Sequence, residues 1–440
     1  MRINYFVVFA ILVIVTSLLT HSMAVFAASL IMMLLTVFFL KNQNIQEVRM
    51  YLIAFVVAIG FMFLVHYAYI QAYDLPYYNG GSDDIQFERD ALQAMLAEVY
   101  APQELVGTVL NQFHSASFYV TFVALVMKFS SFFDGYTTFL PKVINVFLLL
   151  WATMLISYLL RKYVGFTNKQ ILWFIGLFSM TPNMLYINSH IFRDTLNLLL
   201  IMLIVVCIDK LFVKKWGVLQ VVIALFFPLI IFCTFYLREN SLVFAAIMSI
   251  LILLRKLKIR YFYIFLLNIP LLIFTTFLEQ IRFDYFVEKY SEYQTTVSSG
   301  LSNFIFEQPL FPLGVFLRFG YAFISPFPNF PGLFQDGEQF GLDMVYFFIY
   351  LFVVMQILSI PLILKRLLTI DWLSLSFIFL LFGVILTTFT FRHVVFYYPL
   401  MVALAIDGYS RIKIEQRWLS ILLMLTACVG MFFLYVQLKS

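Results

Sequence analysis

The chain has 440 residues, of which 63% are hydrophobic, 19% aromatic and only 12% charged, with 54 phenylalanines and a formal net charge of +5. A mean hydropathy of +0.97 is far above what a soluble core needs, so the composition points to an all-α polytopic membrane protein and away from a soluble globular domain. Long continuous apolar runs exclude a β-barrel, whose strands alternate, and the scattered loop-end charges form no basic domain, which excludes nucleic acid as a partner.

In chain order, apolar runs predict spans at residues 4–20, 22–40, 51–71, 141–160, 170–187, 196–212, 217–235, 241–254, 261–278, 343–364, 371–389, 394–409 and 418–436, about thirteen in all. The first follows Arg2 without a small-residue cleavage site and reads as a retained span. Residues 1–50 form an N-terminal hairpin, 51–410 the main transmembrane domain and 411–440 a C-terminal helix. The cysteines, Cys207, Cys233 and Cys428, lie in apolar runs without CxxC spacing and read as buried thiols.

Placing the N-terminus inside puts Lys41, Arg49, Arg161, Lys162, Lys210 and the basic run 255–260 in inner loops, while most carboxylates gather outside. Residues 116–133 are apolar enough to cross, but crossing would invert every later loop. Residues 86–133 therefore read as one or two helices along the outer interface. The alternative, in which 116–133 spans and an earlier run does not, stays open. Two outer loops are long, 72–140 and 279–342, and long loops carry function more often than short ones.

The densest acidic stretch of the chain is Tyr77-Tyr78-Asn79-Gly80-Gly81-Ser82-Asp83-Asp84-Ile85-Gln86-Phe87-Glu88-Arg89-Asp90. Asp83 and Asp84 are adjacent carboxylates in which like charge raises one pKa, as general-base chemistry requires. The competing reading is capping of a helix over 84–100, with Ser82 or Asp83 as N-cap, which accounts for one acid better than for two. Arginines also collect at the predicted outer ends: Arg89, Arg193 beside Asp194, Arg238, Arg282, Arg318 and Arg392. Their planar donor forks suit a phosphate, against the alternatives of snorkelling or pairing with a neighbouring acid. His190 and His393 lie beside Arg193 and Arg392 and could assist a phosphate site, whereas His21 and His66 read as structural. The chain carries no HExxH, Walker loop, GxGxxG or GxSxG, so nucleotide hydrolysis and soluble hydrolase chemistry have no support.

The order of several short motifs over roughly residues 50–410 resembles the superfamily of multi-spanning glycosyltransferases that use polyprenyl-phosphate-linked sugars. These are Ser82-Asp83-Asp84 in the first outer loop, then His114-Ser115-Ala116-Ser117-Phe118-Tyr119. Phe133-Asp134-Gly135-Tyr136 follows before a span, then Arg161-Lys162-Tyr163-Val164-Gly165 at an inner turn, Thr181-Pro182, and Arg193-Asp194. The resemblance implies sugar transfer to a glycan or lipid-linked acceptor in cell-envelope polysaccharide synthesis, at the outer face of a bacterial cytoplasmic membrane. By position, Asp83 or Asp84 matches the family's first-loop acid, the acceptor's base. Asp194 matches the second-loop acid that some members use for the acceptor or for a divalent metal, the only cofactor implied. Two extra spans precede the acidic loop, His114 lacks the family's following proline, and no large outer domain follows at the C-terminus, which disfavours a protein acceptor.

A sister resemblance, to O-antigen polymerases and ligases acting on polyprenyl-pyrophosphate glycans, rests on Arg238, on Arg318 with Pro326-Phe327-Pro328, and on Arg392-His393. A transporter or lipid flippase is the rival class. It is disfavoured because mid-span positions are almost all Leu, Ile, Val, Phe and Met and the charges gather at one face.

Overall fold

In the computed structural model the described residues are 3–41, 43–81, 83–110, 116–213, 216–257, 314–326, 328–387 and 391–415, with 305, 308 and scattered positions between 418 and 430. The span expected at 261–278, most of that at 418–436, the loop segment 279–304, and Ser82, His114, Arg282 and Cys428 lie outside them. Among the described residues there are helices and no β-strand, and a helix lies at every other predicted span. Five helices are long and apolar enough to cross a bilayer, or six if one bent pair counts as a single span, which fits a multi-pass membrane protein.

The helices divide between two compact units, residues 1–246 with 329–349, and residues 247–328 with 350–440. In the first unit α1 (Ile3–Thr20) and α2 (Met23–Leu40) form a hairpin. At the tip, the Asp134 carboxylate accepts the Met23 N–H at 2.7 Å and the Ala24 N–H at 2.9 Å. A carboxylate there satisfies orphan donors and complements the helix dipole. Helix α3 (Ile45–Tyr73) starts at an Asn44 N-cap and ends at Asp74, whose φ of 58° turns the chain out of the helix. Its 29 residues reach about 43 Å at 1.5 Å per residue, more than a hydrocarbon core requires.

After the acidic turn come α4 (Asp83–Leu96), the single turn α5 (Pro102–Leu105) and α6 (Ser117–Ser130). Helix α6 has 14 residues, about 21 Å, too short to cross alone, and it packs along α4. Helix α7 (Phe139–Leu159) continues into one π-type turn before Gly165. Helix α8 (Asn168–Ser179) breaks at Thr181-Pro182 and restarts as α9 (Pro182–Asn188), bent by 53°. Proline has no N–H to continue the ladder. Helices α10 (Asp194–Leu211) and α11 (Val218–Leu237) follow. Half of α11 is exposed and only Thr234 and Leu237 are buried, as suits an apolar helix facing lipid.

The ends of the helices are matched in pairs. Glu47 at the start of α3 accepts from Arg161 beyond α7 at 2.7 Å. Asp209 near the end of α10 is fully buried and accepts from Lys162, Tyr158 and Tyr163. The opposite ends of these same helices, with the α1–α2 tip, carry Asp134, the 77–90 stretch and the segment 188–194. The unit therefore has a basic-rich end and an acidic end.

In the second unit α13 (Val315–Ile324), α15 (Trp372–Thr387) and α16 (Val394–Arg411) join parts of α12 (Glu239–Lys256) and α14 (Phe340–Leu367). Arg366 of α14 is fully buried and bonds Asp371 and Asp407. A Cβ on Gly408 would collide with the Leu362 carbonyl, so α14 and α16 meet backbone to backbone there. Cys207 is buried and Cys233 half-buried, both free thiols.

Candidate functional site

The chain leaves α3 through residues 74–81, where Asn79 (φ 47°), Gly80 (φ 74°) and Gly81 (φ 115°) are successive left-handed positions. Two glycines make this reversal accessible at low strain, and it folds the start of α4 back over the end of α3. The neighbouring acids are then separated. Asp83 is half-buried, while Asp84 is fully buried and accepts the Tyr78 N–H at 2.8 Å and the Ile85 N–H at 3.2 Å. Burial pushes the Asp84 carboxyl up to about 6, against the pull of the Tyr78 N–H and of Lys142.

One helical turn on, Glu88 is also buried and accepts from the hydroxyls of Tyr77 and Tyr136. Burial raises its carboxyl too, opposed by those two hydroxyls. Burial likewise raises the Tyr77 phenol, and the Glu88 and Asp84 charges add to the effect. Asp90 is buried and accepts from the Gln86 amide at 2.8 Å. Arg89 points to the exposed side of the same helix, and its charge reaches Tyr77.

The segment between α9 and α10 brings the second set of groups. His190 is fully buried with Nδ1 3.9 Å from Asp84 Oδ2. Its ring lies among Tyr69, Tyr78, Tyr186 and Phe192, at centroid distances of 5.1, 5.4, 4.9 and 5.0 Å. The His190 carbonyl accepts from the Asn145 amide of α7 at 3.0 Å, which fixes the backbone of this buried non-helical stretch. A row of hydroxyls continues from the cage: Tyr69 to Tyr186 at 2.6 Å and Tyr186 to Tyr346 at 3.2 Å.

Asp194 opens α10, where its charge complements the helix dipole, and stands 3.9 Å from Arg238 Nη1. Arg193 donates to the Leu237 carbonyl at 3.3 Å. Tyr119 of α6 is fully buried, and burial, with the charges of Asp194, Asp84 and Glu88 adding to it, holds its phenol well above the usual range.

Of the residues expected at the site, Asp84, His190, Arg193, Asp194 and Arg238 meet at the acidic end of the first unit, with Asp83 and Arg89 on the adjoining helix. Arg318, Arg392 and His393 belong to the second unit. There Arg318 is buried on α13 and His393 stacks on Phe396 with centroids 6.3 Å apart. Lys142 is the member of the buried cluster that sequence reasoning passed over; Glu88 and Tyr119 appeared there only inside longer motifs without a role of their own, and His66 as a structural residue. A lysine in the first turn of a predicted span, and an acid four residues after Asp84, were the available signals.

Among the described residues no three of His, Cys, Asp or Glu converge as metal ligands. The chemistry on offer is that of a shielded carboxyl that changes protonation near neutral pH, an imidazole beside it, and a second carboxylate paired with a guanidinium. Such perturbed groups in a cluster mark candidate functional sites. No protein-family model matches this chain, and no curated protein or solved structure matches it.

Proposed function

We propose that this chain is an integral-membrane glycosyltransferase of about thirteen crossings. It moves a sugar from a polyprenyl-phosphate-linked donor to a glycan or lipid-linked acceptor at the outer face of a bacterial cytoplasmic membrane, in envelope polysaccharide synthesis. The observation that carries the reading is that one short segment brings His190 to Asp84 and Asp194 to Arg238, at one end of a helical unit.

In this reading the acceptor hydroxyl attacks the anomeric carbon of the donor sugar. Its proton passes to Asp84, and the anomeric carbon–oxygen bond breaks with its electron pair leaving on the polyprenyl phosphate. A carboxyl titrating near 6 is a competent base at neutral pH, and general-base catalysis contributes about 10²–10⁴-fold. His190 lies beside Asp84 and assists the phosphate site, Asp194 holds the acceptor, and Arg193 and Arg238 receive the phosphate. A divalent metal at Asp194 remains part of the proposal through the family resemblance alone.

The complete burial of Asp84 behind the Tyr78 backbone favours a second reading. A polymerase or ligase of polyprenyl-pyrophosphate glycans would rely on Arg238, Arg318, Arg392 and His393 and leave Asp84 to hold the turn. Transfer of radiolabelled sugar in membranes containing the native chain or Asp84→Asn separates the two. Loss of transfer at equal protein level supports the first reading, and full activity moves the assignment to the second. No transfer by the native chain with any polyprenyl-linked donor returns the lipid flippase to the front.

A further inference from the structure

Lys142 lies in the first turn of α7 with its side chain fully buried. An ammonium withdrawn from water is costly unless it is both hydrogen-bonded and charge-matched. Its Nζ donates to the Pro76 carbonyl at 2.8 Å and meets His66 Nδ1 at 3.2 Å. Because Lys⁺ can only donate, Nδ1 accepts and the His66 proton sits on Nε2. The His66 ring in turn stacks on Phe139, centroids 4.0 Å apart, so the lysine head is held from two sides.

What it holds is the backbone that binds both carboxylates. Pro76 immediately precedes Tyr77, whose hydroxyl donates to Glu88, and Tyr78, whose N–H donates to Asp84. Lys142 also acts on Asp84 and Glu88 through its charge. The groups facing Asp84 are Tyr77 and Tyr78 from the turn, Glu88 from its own helix, Tyr119 from α6, His190 from the segment after α9, and Lys142 from α7 with His66 of α3 behind it. Among them the lysine supplies the positive charge.

We infer that Lys142 is a positioning residue: its bond to the Pro76 carbonyl fixes Tyr77 and Tyr78 over the two carboxylates, and through that turn it places a buried positive charge behind Asp84. The consequence for catalysis rests on the glycosyl-transfer reading above, whereas the consequence for Asp84 itself does not.

The experiment uses the full chain in lipid nanodiscs. The Asp84 carboxyl is titrated by infrared difference spectroscopy against Asp84→Asn, in the native chain and in Lys142→Met. Loss of the lysine charge moves the Asp84 midpoint up by about one pH unit or more, and Lys142→Arg, which keeps the charge, moves it far less. Sugar transfer follows with the same sign. In Lys142→Met the acid limb of the rate profile shifts upward, so that transfer falls about threefold or more near pH 6.5 and recovers largely near pH 8.5.

An Asp84 midpoint unmoved in Lys142→Met overturns the inference and leaves the lysine a packing group. If Lys142→Met fails to fold, the double variant Asp84→Asn/Lys142→Met decides. Removing both charges restores folding if the two offset one another, and a double variant no more stable than the single one overturns the inference. Absence of transfer by the native chain refutes the glycosyltransferase reading, while the infrared titration still decides the role of Lys142.

Discussion

His190 Nδ1 stands 3.9 Å from Asp84 Oδ2, and neither side chain reaches solvent. That separation is too long for a hydrogen bond. The carboxylate is held from the other side by the Tyr78 N–H. Asp84 is thus one strut of a buried turn and, at the same time, the group most ready to exchange a proton.

This duality makes a prediction about stability. Burial raises the Asp84 carboxyl to about 6, above its unfolded value of about 3.9. Between those values the folded state holds more protons than the unfolded one, so this group's contribution to stability falls as pH rises through the window. The full effect above it is on the order of 2–3 kcal/mol. Asp84→Asn keeps an oxygen for the Tyr78 N–H and removes the charge. Its thermal midpoint at about pH 8 should equal or exceed that of the native chain, and the decline between about pH 4.5 and 6.5 should flatten, while sugar transfer falls by about 10² or more. A variant that is less stable at every pH would mean that the charge itself holds the turn.

Much of this was legible in the sequence. Helices fall where long apolar runs demand them, and Asp84, His190, Asp194 and Arg238 stood out because charge is rare in this chain and gathers at predicted helix ends. The difference between Asp83 and Asp84 was not legible. It depends on the left-handed turn at Asn79, Gly80 and Gly81, which decides which acid faces inward. Lys142 was hidden for another reason: it lies inside an apolar run, and its partnership with His66, read only as structural, links residues 76 apart. The role of Asp134 as a cap for α2 likewise joins segments more than a hundred residues apart, which no local pattern encodes.

Asp134 supplies a stability prediction with the opposite sign of pH dependence. Its slight burial raises the carboxyl, but the N–H groups of Ala24 and Met23 outweigh that and hold it below the usual range. The stabilisation is therefore present above the unfolded pKa of about 3.9 and is lost as pH falls through the lower folded value. Asp134→Ala should cost about 1 kcal/mol at neutral pH, the usual worth of a cap. Melting curves of the two proteins should draw together as the medium is acidified through the folded value, and transfer at neutral pH should be unchanged. A large loss of transfer would instead tie the α1–α2 tip to substrate.

At the other end of the unit, Asp209 accepts from Lys162, Tyr158 and Tyr163 and is wholly buried, whereas the Lys162 side chain is 40% exposed. Lysine can turn to water when its partner is lost, but the buried Tyr163 hydroxyl cannot. Asp209→Asn should therefore cost about 2 kcal/mol, mostly from weakened acceptance of buried donors. Lys162→Met should cost less than half of that, because a half-exposed ion pair contributes about 1 kcal/mol or less. The reverse ranking in thermal melts would show that the ion pair, not the hydroxyls, fastens α7 to α10.

In the second unit Arg366 joins three segments at once. It bonds Asp371 and Asp407, and its Nη1 donates to the Ser374 hydroxyl at 3.1 Å. A lysine ammonium is a single point of charge and cannot span both carboxylates as a planar fork does. Arg366→Lys should cost about 3 kcal/mol, in the range for breaking a buried pair. Trp372 gives a local readout, because its indole is buried beside this network and donates to the Met248 carbonyl at 3.3 Å. In a chain whose other tryptophans are replaced by phenylalanine, Arg366→Lys should shift the Trp372 emission to the red and lower its melting midpoint. Replacing Arg366 by Met together with Asp407 by Leu should recover part of that loss, since removing both charges avoids leaving one buried and unpaired. A double variant no better than Arg366→Lys would place the stabilisation in the Asp371 contact instead.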